Sequence, residues 1–350
     1  MPLDDMLAAK EGGRYKKYST AEISQLVDDL SAGLLSAGIG PGDMSAEGRD
    51  KVAILSKNRP EWMIVDLAVQ KVGAILTPVY PTINPIELKF VLNDAQAKIV
   101  FVNDEDLFLK VLSVKQDVPS LKEIYSFEHV NNAKHWKEIF AFSTPSLKEQ
   151  VRSIAAKISN EDLATIIYTS GTTGTPKGVM LSHKNILSNV MASMSLFPPG
   201  NRAMSFLPLN HIFERMVTYL YMFKGVSVYY AESMDTIGEN LNEIKPHMFT
   251  TVPRLLEKVY ERIMQKGNEQ TGIKKRLFFW AHSLAEKFEI NKKLSLGYRL
   301  QLSLANKIVF SKWREGLGNE LQAIVTGSAA CQIRLIRIFT AAKIVIMEGY

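Results

Sequence analysis

Tyr168 to Lys184 reads YTSGTTGTPKGVMLSHK, and the order of residue types in it decides the fold class. Gly171 and Gly174 allow a tight bend, and four hydroxyls (Thr169, Ser170, Thr172, Thr173) crowd around them. Pro176 breaks regular pairing and Lys177 sets a cation at the rim. Such a bend offers backbone N–H groups, hydroxyls and an ammonium to a polyphosphate. The approach, Leu163-Ala164-Thr165-Ile166-Ile167-Tyr168, is the short apolar run of a buried strand. At the exit, Ser182 is placed as a cap for a helix beginning at His183. Strand, bend and helix in this order predict a nucleotide site. It is not a P-loop, because no Gly-Lys-Ser/Thr stands at the required spacing after Gly171. A hydroxyl-rich connecting turn is the plainer alternative.

The flanking sequence alternates between two patterns. Ser19-Thr20-Ala21-Glu22 predicts a capping box, with Ile23, Leu26, Val27, Leu30 and Leu34 on one helical face and Gly38 as the stop. Strands are expected at 51–55, 74–80 and 98–102, with helices at 61–71 and 85–93. Residues 104–160 are more polar and read as a connecting region at the edge. A second series starts at Leu163, with strands at 164–168, 203–207, 226–230, 247–251, 321–325 and 343–347 and a long helical segment over 272–313. Short apolar strands between amphipathic helices argue for parallel sheets covered on both faces. The predicted class is α/β: two stacked doubly wound sheets with flanking helices. Residues 1–160 are expected to form a first subdomain and 161–350 a second.

The 350-residue chain has 46% hydrophobic and 22% charged residues, which excludes a disordered or fibrous protein and leaves ample core. Its one cysteine, Cys331, rules out an internal disulfide framework and suits a reducing compartment. The acidic start Met1-Pro2-Leu3-Asp4-Asp5 does not read as a signal peptide, and a cytoplasmic location is expected. Between Arg254 and Glu315, 14 Lys/Arg stand against 6 Asp/Glu, a net of +8 in a chain whose formal total is +6. With the aromatics of Lys274-Lys275-Arg276-Leu277-Phe278-Phe279-Trp280, this stretch fits peripheral contact with an anionic membrane face. Solvated helix faces are the bland alternative. No nucleic-acid-binding motif accompanies the charge.

Three further motifs follow in order: Asn58-Arg59-Pro60-Glu61-Trp62, FLPLNHIFERM at Phe206 to Met216, and TTVPRLLEKVYERI at Thr250 to Ile263. With the 168–184 run they resemble the adenylate-forming (AMP-binding) enzymes, and within them the long-chain fatty acyl-CoA synthetases, from about Gly13 to the last residue. The resemblance implies the large N-terminal domain of that fold and an acid–thiol ligase using ATP, magnesium (Mg2+) and CoA. Such an enzyme activates a fatty acid as acyl-AMP and then transfers the acyl group to CoA. By the same resemblance Thr169, Ser170, Gly171, Thr172, Thr173, Gly174 and Lys177 hold the β- and γ-phosphates. His211 lies beside the acyl carboxylate and Phe213 lines the acyl path. Gly327, Ser328 and Ala329 frame adenine, with Gly327 also at the acyl tunnel. Glu348, Gly349 and Tyr350 open the motif whose tyrosine stacks on adenine. Lys177 and His211 are the catalytic candidates, and no residue is assigned to a metal.

The residues alone leave plainer readings open. A lone histidine is more often structural than catalytic, although His211 follows a predicted strand end, where open α/β sheets bind ligands. For Glu214 and Arg215 an internal ion pair on their helix is an equal alternative to a role in the site. Thr326 to Ala330 also fits a tight turn, and Ser328 stands where the family more often has glycine. In relatives the motif continues past the tyrosine with a magnesium-holding glutamate, and a C-terminal lid follows. The sequence therefore reads as C-terminally truncated with the lid absent, and is expected not to run the complete two-step reaction. A non-catalytic nucleotide-binding remnant and an enzyme for another carboxylic acid are the alternatives.

Overall fold

A computed structural model describes residues 2–169, 175–196 and 202–349. The chain divides into two compact units, Met1–Phe197 with Pro208–Leu220, and Pro198–Leu207 with Tyr221–Tyr350.

In the first unit, β1 (Leu7–Glu11) and β2 (Arg14–Tyr18) form an antiparallel hairpin. A seven-stranded sheet follows. It contains β3 (Lys51–Leu55), β4 (Ile75–Val79), β5 (Ala97–Val102), β6 (Glu123–Ser126), β7 (Lys134–His135), β8 (Leu163–Thr169) and β9 (Lys177–Ser182). Their order is β7-β6-β5-β3-β4-β8-β9, parallel throughout except for the antiparallel pair β8/β9. Every residue of β3 and β4 is buried, as a strand covered on both faces requires. Ala53 and Leu55 meet the helices Pro85–Asp94 and Glu105–Leu112 through Leu88, Val91, Leu92 and Phe108. The helix Thr20–Ser36 starts with the expected capping box between Ser19 and Glu22 and packs on the helix Pro60–Lys71.

Two expectations change here. Residues 104–160 are not a mere connector. They contribute β6, β7 and the helix Pro145–Ala155, fastened by a few aromatics. Phe101 stacks on Tyr125 at 5.5 Å, and Phe127 meets Trp136 edge-on at 5.7 Å. The strand 163–169 does not open a second sheet either. Leu76 pairs with Thr165, so β8 extends the first sheet beside β4, and the first unit runs past the expected boundary at 160.

The second unit carries β10 (Arg202–Ser205), β11 (Ser227–Tyr230), β12 (Met248–Thr251), β13 (Ala323–Thr326) and β14 (Val345–Glu348), all parallel in the order β14-β13-β12-β10-β11. The long helix expected over 272–313 is broken. Gly272–Glu286 ends, Asn291 takes a left-handed backbone (φ 68°), and Ser295 caps a new helix, Leu296–Ala305. A wider π turn, Asn306–Phe310, follows it. An aromatic core ties these helices to Ile333–Ala341: Trp313 lies 6.0 Å from Phe278, 4.8 Å from Phe310 and 6.5 Å from Phe339. Phe278 also packs on Gly267 so closely that a Cβ there would sit 2.1 Å from its ring.

Candidate functional site

The 168–184 run contains a strand that the sequence did not suggest. Antiparallel β9 separates the bend from the helix His183–Ser193, which Ser182 caps as expected by accepting the Asn185 N–H. Thr169 pairs with Lys177 across the β8/β9 ladder, so the two described ends of the bend sequence are held opposite each other and both are exposed. The Tyr168 hydroxyl donates to Asp94 at 2.6 Å, and burial with this contact raises its pKa. Gly178 lies across from Tyr168, and a Cβ there would come within 2.8 Å of Ile166 and 3.2 Å of the Tyr168 ring. Ser170, Gly171, Thr172, Thr173 and Gly174 lie outside the described residues, as does Tyr350.

His211 belongs to the same unit. Its segment is fastened from both sides of the first sheet's strand ends. Asn58 accepts the Leu209 N–H at 2.9 Å, and the Asn210 amide donates to the Val79 carbonyl. His211 is exposed, while its Nδ1 accepts the Phe213 N–H at 3.2 Å. Surrounding protein lowers its pKa by desolvation, so the ring is neutral near pH 7. A neutral imidazole that accepts at Nδ1 carries its proton on Nε2, leaving an N–H donor for an anionic oxygen.

The helix that follows, Ile212–Lys224, is anchored by Arg215. Its Nε donates to Asp66 at 2.9 Å, a second nitrogen bonds the other Asp66 oxygen, and a third donates to the Thr165 hydroxyl at 2.8 Å. Tyr219 and Gln70 complete the shell around Asp66, and the guanidinium lies 5.5 Å from the Trp62 ring centroid. Burial works against the charged form, but adjacent Asp66 outweighs it and the Arg215 pKa rises. Sequence reading missed Asn58, Asp66 and Gln70 as supports. The only sign of Asn58 was its place in the Asn58–Trp62 motif.

In the second unit Gly327, Ser328, Ala329, Glu348 and Gly349 gather at the carboxyl end of the parallel strands, the edge where open α/β sheets take ligands. The Gly349 N–H donates to the Thr326 carbonyl at 2.8 Å, and the Gly327 N–H to Thr251 at 3.3 Å. The Cys331 N–H donates to the Glu348 carboxylate at 2.7 Å. Ser328 adopts φ 67°, the left-handed region, which explains why glycine suits this position. Cys331 is buried, with its thiol pKa raised by desolvation, which argues against a nucleophile.

Among the described residues no group of three or more His, Cys, Asp or Glu is gathered as a metal site. The AMP-binding enzyme family matches residues 4–350. The chain belongs to that family. The chain is 32% identical over 327 residues to the peroxisomal long chain acyl-CoA synthetase 7 of Arabidopsis thaliana, covering 91% of this chain and 45% of that protein. It is 30% identical over 347 residues to the long-chain-fatty-acid–CoA ligase FadD15 of Mycobacterium bovis, covering 97% and 56%. The chain thus spans about half the length of the curated relatives it matches. The inhibitor-bound N-terminal domain of FACL13 from Mycobacterium tuberculosis aligns with TM-score 0.64 and 19% identity over 98% of this chain and 71% of that one, so the two share a fold. The fold is that of the α/β N-terminal domain of adenylate-forming enzymes.

Proposed function

We propose that this AMP-binding enzyme serves a long-chain fatty acid–CoA ligase, activating the acid with ATP as acyl-AMP for transfer to CoA. The observation that carries the reading is His211: a neutral ring with Nδ1 satisfied and Nε2–H free to donate, on a segment pinned by Asn58 and Asn210. That donor suits a carboxylate oxygen of the substrate as it aligns on the α-phosphorus. Lys177, exposed opposite Thr169, suits the leaving polyphosphate. Two relatives near 30% identity are named for long-chain acids, which supports that substrate class.

Magnesium would arrive with the nucleotide, since it keeps several waters and takes phosphate oxygens with one or two carboxylates. Bound there, it would neutralise phosphate charge. A reducing, cytoplasmic compartment suits the buried free thiol of Cys331, and cell fractionation tests that placement.

Calorimetry of the purified chain with ATP, AMP and a non-hydrolysable palmitoyl-AMP analogue tests the proposal. The analogue should bind more tightly than AMP. Lys177→Ala should weaken ATP, and His211→Ala should weaken the analogue roughly tenfold or more, as loss of a positioned donor to an anionic group does. Equal affinity for AMP and the analogue would assign the chain to nucleotide binding without acid activation. Preference for a short or aromatic acyl-AMP analogue would assign another carboxylic acid.

A further inference from the structure

The basic stretch 254–315 presents its apolar surface elsewhere than the sequence suggested. Phe278 turns inward onto Trp313, and Phe279 and Trp280 are half-buried, so the aromatics after Lys274 form no exposed face. Ile273 and Ile290 are exposed singly, and the longest series of exposed apolar side chains lies on the helix Leu296–Ala305 and the π turn after it. Leu296 is 77% exposed, Leu300 73%, Leu304 51% and Ile308 39%. Their four-residue spacing stacks them in one stripe. The opposite side of the same segment is fully used: Ala305, Val309 and Phe310 are buried, and the Tyr298 hydroxyl donates to the Leu284 carbonyl at 2.7 Å. The outward stripe therefore has no role in the core of its unit. Single exposed leucines need no explanation, but a continuous stripe on one segment does.

The charges around it have one sign. Lys293, Arg299 and Lys307 are exposed and make no side-chain hydrogen bond or ion pair among the described residues. The nearby acids are already neutralised, Glu289 by Lys292 at 2.9 Å and Glu315 by Lys312 at 2.8 Å. We propose that this stripe seats on an anionic lipid surface. The leucines would enter the headgroup boundary while Arg299 and Lys307 reach lipid phosphates on flexible stems. A protein partner fits less well, because charged residues are depleted from the core of protein interfaces, whereas Lys307 stands between Leu304 and Ile308. The segment lies on a bilayer and does not cross it: among the described residues no helix is long and apolar enough to span one.

Sedimentation of the full chain with phosphatidylcholine vesicles, with and without phosphatidylglycerol, tests this separately from any nucleotide binding. The chain should pellet with anionic vesicles only. It should release when salt rises from about 0.1 M to about 1 M, as the screening length falls from ~10 Å to ~3 Å. Leu300→Ser with Leu304→Ser, and separately Arg299→Gln with Lys307→Gln, should each lower binding roughly tenfold or more. Both pairs are solvent-exposed, and circular dichroism confirms that the variants fold. Ile86→Ser, at an 81% exposed position in the first unit, should change nothing. Failure to pellet, or pelleting that ignores both double variants, overturns the proposal. So does salt-insensitive self-association abolished by the leucine variant, which would assign the stripe to a second copy of the chain.

Discussion

Arg215 grips Asp66 with two of its nitrogens, and both side chains have no solvent exposure. The pair joins the helix that follows His211 to the helix Pro60–Lys71, and Thr165, Gln70 and Tyr219 satisfy what the pair leaves over. A buried ion pair is weak evidence of net stability, but breaking one strands a charge in a dry site. Arg215→Ala should therefore lower unfolding stability by about 3–5 kcal/mol in urea titration. The double variant Asp66→Leu with Arg215→Leu should lose less than the sum of its singles. Additive losses would show that the two side chains do not act as a pair.

Ser328 holds a left-handed backbone at the end of β13. An L side chain there costs about 1–2 kcal/mol, so Ser328→Gly should stabilise the chain by up to about 1 kcal/mol and Ser328→Val should destabilise it. Urea midpoints for the three proteins check the ranking. Identical midpoints would mean that the turn relaxes.

At Gly267 two effects compete. Alanine inside a helix ordinarily gains about 0.5–1 kcal/mol over glycine. Here its Cβ would lie 2.1 Å from the Phe278 ring, and overpacking costs about 1–3 kcal/mol. The clash should win, so Gly267→Ala lowers the melting temperature and a second change, Phe278→Leu, recovers part of the loss. A raised melting temperature in the single variant would contradict the packing.

Desolvation lowers the pKa of His135, His183, His211, His247 and His282. A folded-state value below the unfolded value near 6.5 means that the unfolded chain binds more protons as pH falls. Stability is then fully present above about pH 6.5 and declines below it. Glu22 and Asp29, whose pKa values are lowered, act further down, below about pH 4.5. Melting curves from pH 8 to pH 5 should show the decline begin near about 6.5. A flat profile would refute it.

Asn58 accepts the Leu209 N–H, two residues before His211. Asn58→Ala should weaken the palmitoyl-AMP analogue roughly tenfold, the size of one lost hydrogen bond, while ATP affinity stays unchanged. Its effect should also appear as a shifted His211 imidazole titration by NMR, which a purely global loss of stability would not give. Equal weakening of both ligands would count against a positioning role.

Much of this was legible before any coordinates. The capping box at Ser19, the apolar runs of β3, β4 and β5, and the cap at Ser182 depend on neighbours within a few residues. β9 was not, because Val179 and Met180 are exposed on an edge strand, so Lys177–Ser182 lacks the burial pattern that marks a strand. The Arg215 partner Asp66 was not legible either, because it is 149 residues away.

Local sequence determined where the helices begin, which runs become strands, and which motif carries the hydroxyls and cation suited to a polyphosphate. Caps, turns and apolar periodicity act over a few residues and need no distant partner. Tertiary structure decided that β8 joins the first sheet, that Asp66 meets Arg215, and that Ser328 bends left-handed. It also decided that leucines and isoleucines rather than aromatics face out along the basic segment. Those outcomes depend on which surfaces meet when remote segments pack and shed water, and residue order does not encode that neighbour by neighbour.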